Sequence, residues 1–345
     1  MPNIDPLAPT IDNVAARAGV STATVSRVLN KPQSVSEALR QRVQDAIAQL
    51  GYVPRASARA LMLGRTGTIG AVFPTVDNAI FAQAINALQR RLDEFGHQLL
   101  IATSGYDQDN ETRQAMNLVT RGVDAIALCG LCQSDELIRF LRQRGLPAVH
   151  VMTHPQPHEQ EHGRSLSIGV DNAAAMGQAT RYLLDLGHRR IAMIAGITHH
   201  NDRATQRLAG VRDALAAADL GMPSEYVLER AYRLSDARDA MRSLMNLDPA
   251  PTAVICGNDL LAHGALLEAA HLGLQVPQQV SIVGFDDLEL SRHIRPSLTT
   301  IRVPTDEMWS LAADRLLASL GGQPAPLHTE MDVALVVRQS TGPAP

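Results

Sequence analysis

A run from Arg17 to Asn30, RAGVSTATVSRVLN, carries side chains whose types and spacing suit contact with the edges of DNA bases. Ser21 stands where a hydroxyl can accept from backbone N–H groups two or three residues on and so start a helix, and Gly19 supplies the sharp turn before it. Val25, Val28 and Leu29 make the inward stripe of that helix, which leaves Thr22, Ala23, Ser26 and Arg27 facing outward, with Thr24 and Asn30 in the same run. An arginine can hold a guanine edge in the major groove, and small side chains let the helix come close.

The elements that must position this helix are legible on both sides. Thr10 can cap a first helix with Ile11, Val14 and Ala15 on one face. Ser36 opens a third, EALRQRVQDAIAQL, with Leu39, Val43, Ala46, Ile47 and Leu50 at helical spacing and Gly51 as its stop. Three such helices can bury a small common core. With this continuation the head resembles the lactose-repressor (LacI-type) family of bacterial transcription regulators, through IxxVAxxAGVSxxTVSRVLN followed by VS…R…GY.P…AR.L, and the likeness runs through nearly the whole chain.

The charge is divided accordingly. The net charge is −4, but through residue 66 eight basic residues face four acids, against 23 and 31 in the remainder. A small cationic head on an acidic body fits a DNA binder whose single head binds weakly, so two heads on a dimer are expected. The segment PRASARALMLGRTGT is too short to hold a free helix in water. The resemblance implies that it folds only on operator DNA, pairing with its mate in the minor groove and wedging a leucine between base pairs. The matching positions are Ser57, Ala58 and Leu61, with Arg59 near phosphate.

From Thr68 onward, buried parallel strands alternate with helices. TIGAVFP, QLLIATS, AIALC and AVHVM form a first set, and SIGV, IAMIA, TAVIC and SIVGF a second. Helical runs expected between them are Ala79–Phe95, Glu111–Arg121, Asp135–Arg144, Asn172–Leu186, Ala204–Ala217, Leu234–Met245 and Asp259–His271. The fold expected is an all-α helix-turn-helix head (residues 1–54), a hinge (55–67) and an α/β body (68–345) of two doubly wound parallel-sheet lobes. For the body, the resemblance implies a periplasmic-binding-protein-like sensor. LTTIRVP, the helix with Trp309 and VALVVRQS are expected to cross back and complete the first lobe.

Ligands of such sheets sit beyond the strand C-termini. The candidates are therefore Asp77, Asn78 and Phe81 after the first strand, Arg203 and Arg207 after IAMIAG, Asn258 after TAVIC, and Phe285 with Asp286 in SIVGFDD. The resemblance gives Arg207, in RLxG, and Asn258 the effector contacts; Asn258 and Asp259 are also placed to do no more than cap a helix. Guanidinium, amide and carboxylate groups with few aromatic faces favour a polyol over a nucleobase. QSVSEALR, PTVDNAIFA and ATSGYDQDNETR resemble the gluconate-repressor branch, which implies a sugar acid such as gluconate, with a neutral sugar or a corepressor as the alternative.

Other constellations carry less. Cys129 and Cys132 have CxxC spacing but no second pair, and with Cys256 they read as thiols. His154, His158 and His162 are kept from helical alignment by Pro155 and Pro157, so no metal is expected. No cofactor loop and no nucleophile-base motif is found, which excludes an enzyme reading. Neither a leader nor a membrane span is seen, so a cytoplasmic protein is expected; a transport-associated binding protein, the rival class, would need a leader and have no use for residues 10–61. Without a C-terminal heptad run, a homodimer is expected.

Overall fold

The computed structural model describes residues 9–30, 32–53, 65–154 and 166–345, with the side chains of Asn30 and Pro32 excepted. The chain divides into two units, Met1–Thr66 and Gly67–Pro345.

In the first unit, α1 (Ile11–Ala18) begins in a reciprocal cap: the Thr10 hydroxyl accepts from the Asn13 N–H at 3.4 Å, and the Asn13 side chain accepts from the Thr10 N–H at 2.8 Å. Gly19, with φ 64°, ends the helix in a conformation that a Cβ would strain. Ser21 Oγ then accepts from the Thr24 N–H at 3.2 Å and starts α2 (Thr22–Asn30). The third helix, α3 (Glu37–Leu50), stops at Gly51 and is tied to α1 by Arg17 donating to Gln49 at 2.9 Å. Val14, Ala15, Ala18, Val25, Val28, Val43 and Ala46 form one small core. Ser36, expected to cap α3, makes no side-chain cap hydrogen bond.

The second unit holds two six-stranded sheets. The first has the order β11-β5-β4-β3-β1-β2, from β1 (Thr68–Phe73), β2 (Gln98–Thr103), β3 (Ala125–Cys129), β4 (Ala148–Val151), β5 (Leu166–Gly169) and β11 (His328–Glu330), all parallel. The second has the order β12-β10-β9-β8-β6-β7, from β6 (Ile191–Gly196), β7 (Val227–Arg230), β8 (Ala253–Cys256), β9 (Ser281–Asp286), β10 (Thr299–Arg302) and β12 (Ala334–Val336), with only β12 antiparallel. Helices α4 (Ala79–Asp93) and α12 (Thr305–Leu320) pack together, α12 lying on the first sheet, while α5 (Gln108–Thr120) and α6 (Asp135–Gln143) contribute to a separate core with β3; the short α11 (Glu289–His293) precedes β10. The second sheet is covered by α7 (Asn172–Asp185) with α8 (Asp202–Ala216), and by α9 (Leu234–Met245) with α10 (Asp259–His271). Trp309 of α12 is fully buried, its ring 4.8 Å from that of Phe73. No described helix is long and apolar enough to cross a membrane.

Three expectations are corrected, and two strands were not expected. SIGV is β5 and pairs with β4, so it closes the first sheet rather than opening the second. Apolar strands announce burial, but their pairing partner is not written in their composition. LTTIR and VALVV, as β10 and β12, stay in the second sheet; the crossing is made by α12 and by the unforeseen β11. β7, VLER, was also unforeseen, because its charged ends hide an edge strand. QLLIATS is not a buried strand: β2 is an edge, with Leu100 36% and Ile101 43% exposed.

Candidate functional site

The C-terminal ends of both sheets face one cleft, lined by Asn78, Ile80, Phe81, Tyr106, Met152, Asn201, Arg203, Arg207, Tyr232, Asn258 and Asp286. Chain direction explains the gathering, since the loop after each parallel strand emerges at the same edge. Asn78 and Asn258 also cap helices, accepting from the Ile80 N–H at 3.4 Å and the Leu261 N–H at 3.0 Å.

Arg207 is the most firmly placed of these groups. Its Nε donates to Asn172 at 2.8 Å, its Nη1 to the Gly257 carbonyl at 2.8 Å, and its guanidinium carbon lies 3.6 Å from the Phe285 ring centre. Burial works against its charge and lowers its pKa, with Asp286 acting the other way. Asp286 is the opposite case: buried, at φ 116°, its carboxylate accepts no hydrogen bond from any described residue. Burial pushes its pKa up to about 8, against the pull of Arg207 and with a push from Asp259. A non-glycine residue in so sparsely populated a region costs about 1–3 kcal/mol, so its surroundings must hold it there.

A carboxylate joins the lobes. Asp202, at the start of α8 in the second lobe, accepts from the Thr153 hydroxyl at 2.7 Å and the Leu131 N–H at 3.1 Å in the first. It also receives Arg203 Nη1 at 3.2 Å, both side chains being nearly buried. Burial opposes the charge of Arg203, but Asp202 with the nearby phenols and thiol outweighs it and the pKa is raised. Gly130 permits this packing, because a Cβ there would fall 2.0 Å from Arg203 Nη1. Tyr106 and Tyr232 meet from opposite lobes with ring centres 5.3 Å apart, and a Cβ on Gly196 would lie 2.0 Å from the Tyr232 hydroxyl.

Of the residues expected in the cleft, the structure gathers Asn78, Phe81, Arg203, Arg207, Asn258 and Asp286. Two expectations are corrected. Asp77 is exposed, its N–H turned to Thr75 Oγ1 at 3.1 Å, and is not among the lining residues. Phe285 is fully buried beneath Arg207, since successive side chains of a strand point to opposite faces and Asp286 takes the cleft side. Tyr106, Tyr232, Asn201, Met152 and Ile80 were missed. The tyrosines overturn the expectation of few aromatic faces; their signal was a tyrosine just past an edge strand, and one of those strands was not recognised. Cys129, Cys132 and Cys256 are unpaired, and burial pushes the Cys129 thiol up to about 12, far from thiolate chemistry.

On the head, Thr22, Ala23 and Arg27 are exposed along α2, with Thr24 and Ser26 half-buried; Thr10 and Ser21 are exposed caps. The Asn30 side chain and residues Ser57, Ala58, Arg59 and Leu61 lie outside the described residues.

Residues 10–55 match the family model for bacterial regulatory proteins, lacI family, and residues 180–341 match a periplasmic binding protein-like domain. The ribose operon repressor of Escherichia coli (strain K12) is 36% identical over 310 residues, spanning 89% of this chain and 92% of that protein. The chain belongs to the LacI family of bacterial transcriptional regulators. An HTH-type transcriptional repressor PurR of Pectobacterium carotovorum subsp. carotovorum is 34% identical over 97% of this chain and 98% of its own length. The crystal structure of the lac repressor dimer bound to operator and the anti-inducer ONPF superposes with a TM-score of 0.85 at 27% identity, covering 97% and 99% of the two chains. LacI-family repressors bind operator DNA and small-molecule effectors, and they are not enzymes. In this LacI-family chain the seam at Asp202 is a direct polar link between the effector lobes at the cleft, beside the Asn172 side chain donating to the Met152 carbonyl at 3.4 Å.

Replacing Asp202 with alanine leaves the Leu131 N–H and Thr153 hydroxyl without their acceptor, a loss of about 1–3 kcal/mol from the closed arrangement. Spin labels on α5 and α9 of Asp202→Ala are expected to show a longer and broader distance distribution than in the parent protein. An unchanged distribution would show that the seam does not hold the lobes.

Proposed function

We propose that this chain represses catabolic genes by binding a palindromic operator as a homodimer, and that a small molecule in the cleft controls this binding. The head (1–54) reads the site through Arg27 and its neighbours on α2, the hinge (55–67) meets the minor groove, and the body (68–345) senses the effector and dimerises. Dimerisation is supported by the exposed apolar edge of β2 at Leu100 and Ile101, and by Leu267, 53% exposed on α10.

The observation that carries the effector reading is the set of groups facing one another in the cleft: two guanidinium groups, three amides and the carboxyl of Asp286. Such donors and acceptors fit a polyhydroxylated ligand, and Arg207 with Arg203 fits a sugar acid such as gluconate; a neutral sugar competes with only the hydroxyl part of that recognition. The facing rings of Tyr106 and Tyr232 favour a second reading, a flat nucleobase.

Calorimetric titration with gluconate, 2-ketogluconate, galactarate, ribose and hypoxanthine separates these readings, and its pH dependence adds a sign. Asp286 titrates near 8 in the fold, raised from 3.8. A neutral sugar whose hydroxyls donate to it binds the ionised form and gains affinity as pH rises through about 8. A sugar acid is repelled by that form and loses affinity over the same range. Binding of neutral sugars alone, growing tighter toward high pH, would defeat the acid proposal.

For the head, Arg27→Ala is expected to relax base preference at one operator position by about 1–3 kcal/mol while sparing non-specific binding. This is read by gel shift on DNA flanking the encoding gene, with base-substituted competitors. Equal loss on all sequences would contradict the assignment of Arg27 as a base reader.

A further inference from the structure

We infer that Asp259 and Asp287 are positioning residues that hold Asp286 in its cleft-facing conformation; this rests on the reading of Asp286 as an effector contact. Asp286 and Asp287 are consecutive non-glycine residues with positive φ, 116° and 58°, at the end of β9. Nothing within Asp286 itself maintains that conformation, since its carboxylate accepts no hydrogen bond from a described residue. The anchors are on either side of the backbone that follows it.

Asp259 is fully buried in the first turn of α10, yet its oxygens do not serve that helix. Its Oδ2 accepts from the Leu288 N–H at 2.8 Å and the Ser291 hydroxyl at 2.6 Å, and its Oδ1 accepts from the Thr300 hydroxyl at 2.6 Å. Ser291 in turn meets His263 Nε2 at 2.9 Å. The carboxylate sits so close under β9 that a Cβ on Gly284 would fall 2.2 Å from Oδ1. Asp287 is held from the other direction: its nearly buried carboxylate accepts from Arg302 Nε at 2.7 Å and from Arg338, with Arg292 at 3.6 Å. The backbone is therefore fixed at 287 through a side chain and at 288 through its N–H, while the carboxyl between these anchors and the strand is left for the cleft. Arg302 is also the register partner of Asp286, at the end of β10, where the chain leaves for α12 and the first lobe. Buried carboxylates satisfied by several donors are stiff supports, because losing one strands its partners.

The test compares Asp259→Asn, Asp287→Asn and Asp286→Asn in the full chain by hydrogen exchange without ligand, then by titration with gluconate, ribose and hypoxanthine. Asp259→Asn and Asp287→Asn are expected to speed exchange across 286–291 by about tenfold or more while α7 and α8 keep their protection. Whichever probe binds the parent protein is expected to bind each about tenfold more weakly, and the loss is not to add to that of Asp286→Asn in the double variant. Ser291→Ala, which removes one donor only, takes the place of Asp259→Asn should that variant not fold. Unchanged exchange in 286–291, uniform loss of protection across the lobe, or full additivity with Asp286→Asn would each overturn the inference. Should Asp286→Asn bind the probe as well as the parent, or no probe bind at all, the effector reading fails and the exchange result alone decides whether the two carboxylates hold the loop.

Discussion

The structure turns on one buried carboxylate shared between two lobes. Asp202 gathers a hydroxyl and an N–H from the first lobe and a guanidinium from its own, in a place where little water can compensate any of them. A buried ion pair of this kind adds little net stability, because desolvation consumes most of the attraction, but separating its partners is costly. That asymmetry suits a two-state joint. Separating the lobes would send all of these donors to water at once, so small separations that leave them unanswered are penalised.

The rest of the body makes that joint responsive. Strand crossovers after β5, β10 and β11 are the covalent connections between the sheets. Arg207, stacked on Phe285 and bonded to Asn172 and Gly257, is a rigid donor on one wall, and Asp286 is a strained acceptor beside it. Strain of that kind persists where surrounding bonds over-determine it, and it prepares a group for a ligand at little cost during binding. A ligand that binds one separation of the lobes better than another shifts their equilibrium by that difference alone, and under the proposed control operator DNA shifts it reciprocally.

Much of this was legible in the chain before its structure. The caps at Thr10 and Ser21, the turn at Gly19 and the apolar stripes of the head are local signals, each settled by neighbours a few residues away. The strands of the body were equally visible as apolar runs, and six of the cleft residues followed from the rule that ligands lie past strand ends. What failed was non-local. Whether β5 joins one sheet or the other depends on pairing, which composition does not encode, and an edge strand such as β7 lacks the apolar run that marks an interior one. Tyr232 was overlooked for that reason, Tyr106 because the loop past the recognised β2 was not counted among the strand ends, and Phe285 was misassigned because alternation along β9 had not been counted from Asp286. The seam at Asp202 could not be read at all, since Thr153, Leu131 and Asp202 come together only when both lobes are folded.

The claim that lobe closure and operator binding are one equilibrium is tested most directly by locking the seam. A Thr153→Cys/Asp202→Cys pair, with Cys129→Ser and Cys132→Ser to remove the neighbouring thiols, replaces the hydrogen bond by a bond that a reductant can break. Operator duplexes selected by the parent protein are then bound with the pair oxidised and reduced. The account predicts affinities that differ by about tenfold or more between the two forms and return together on reduction. Equal operator affinity of locked and unlocked protein would contradict it.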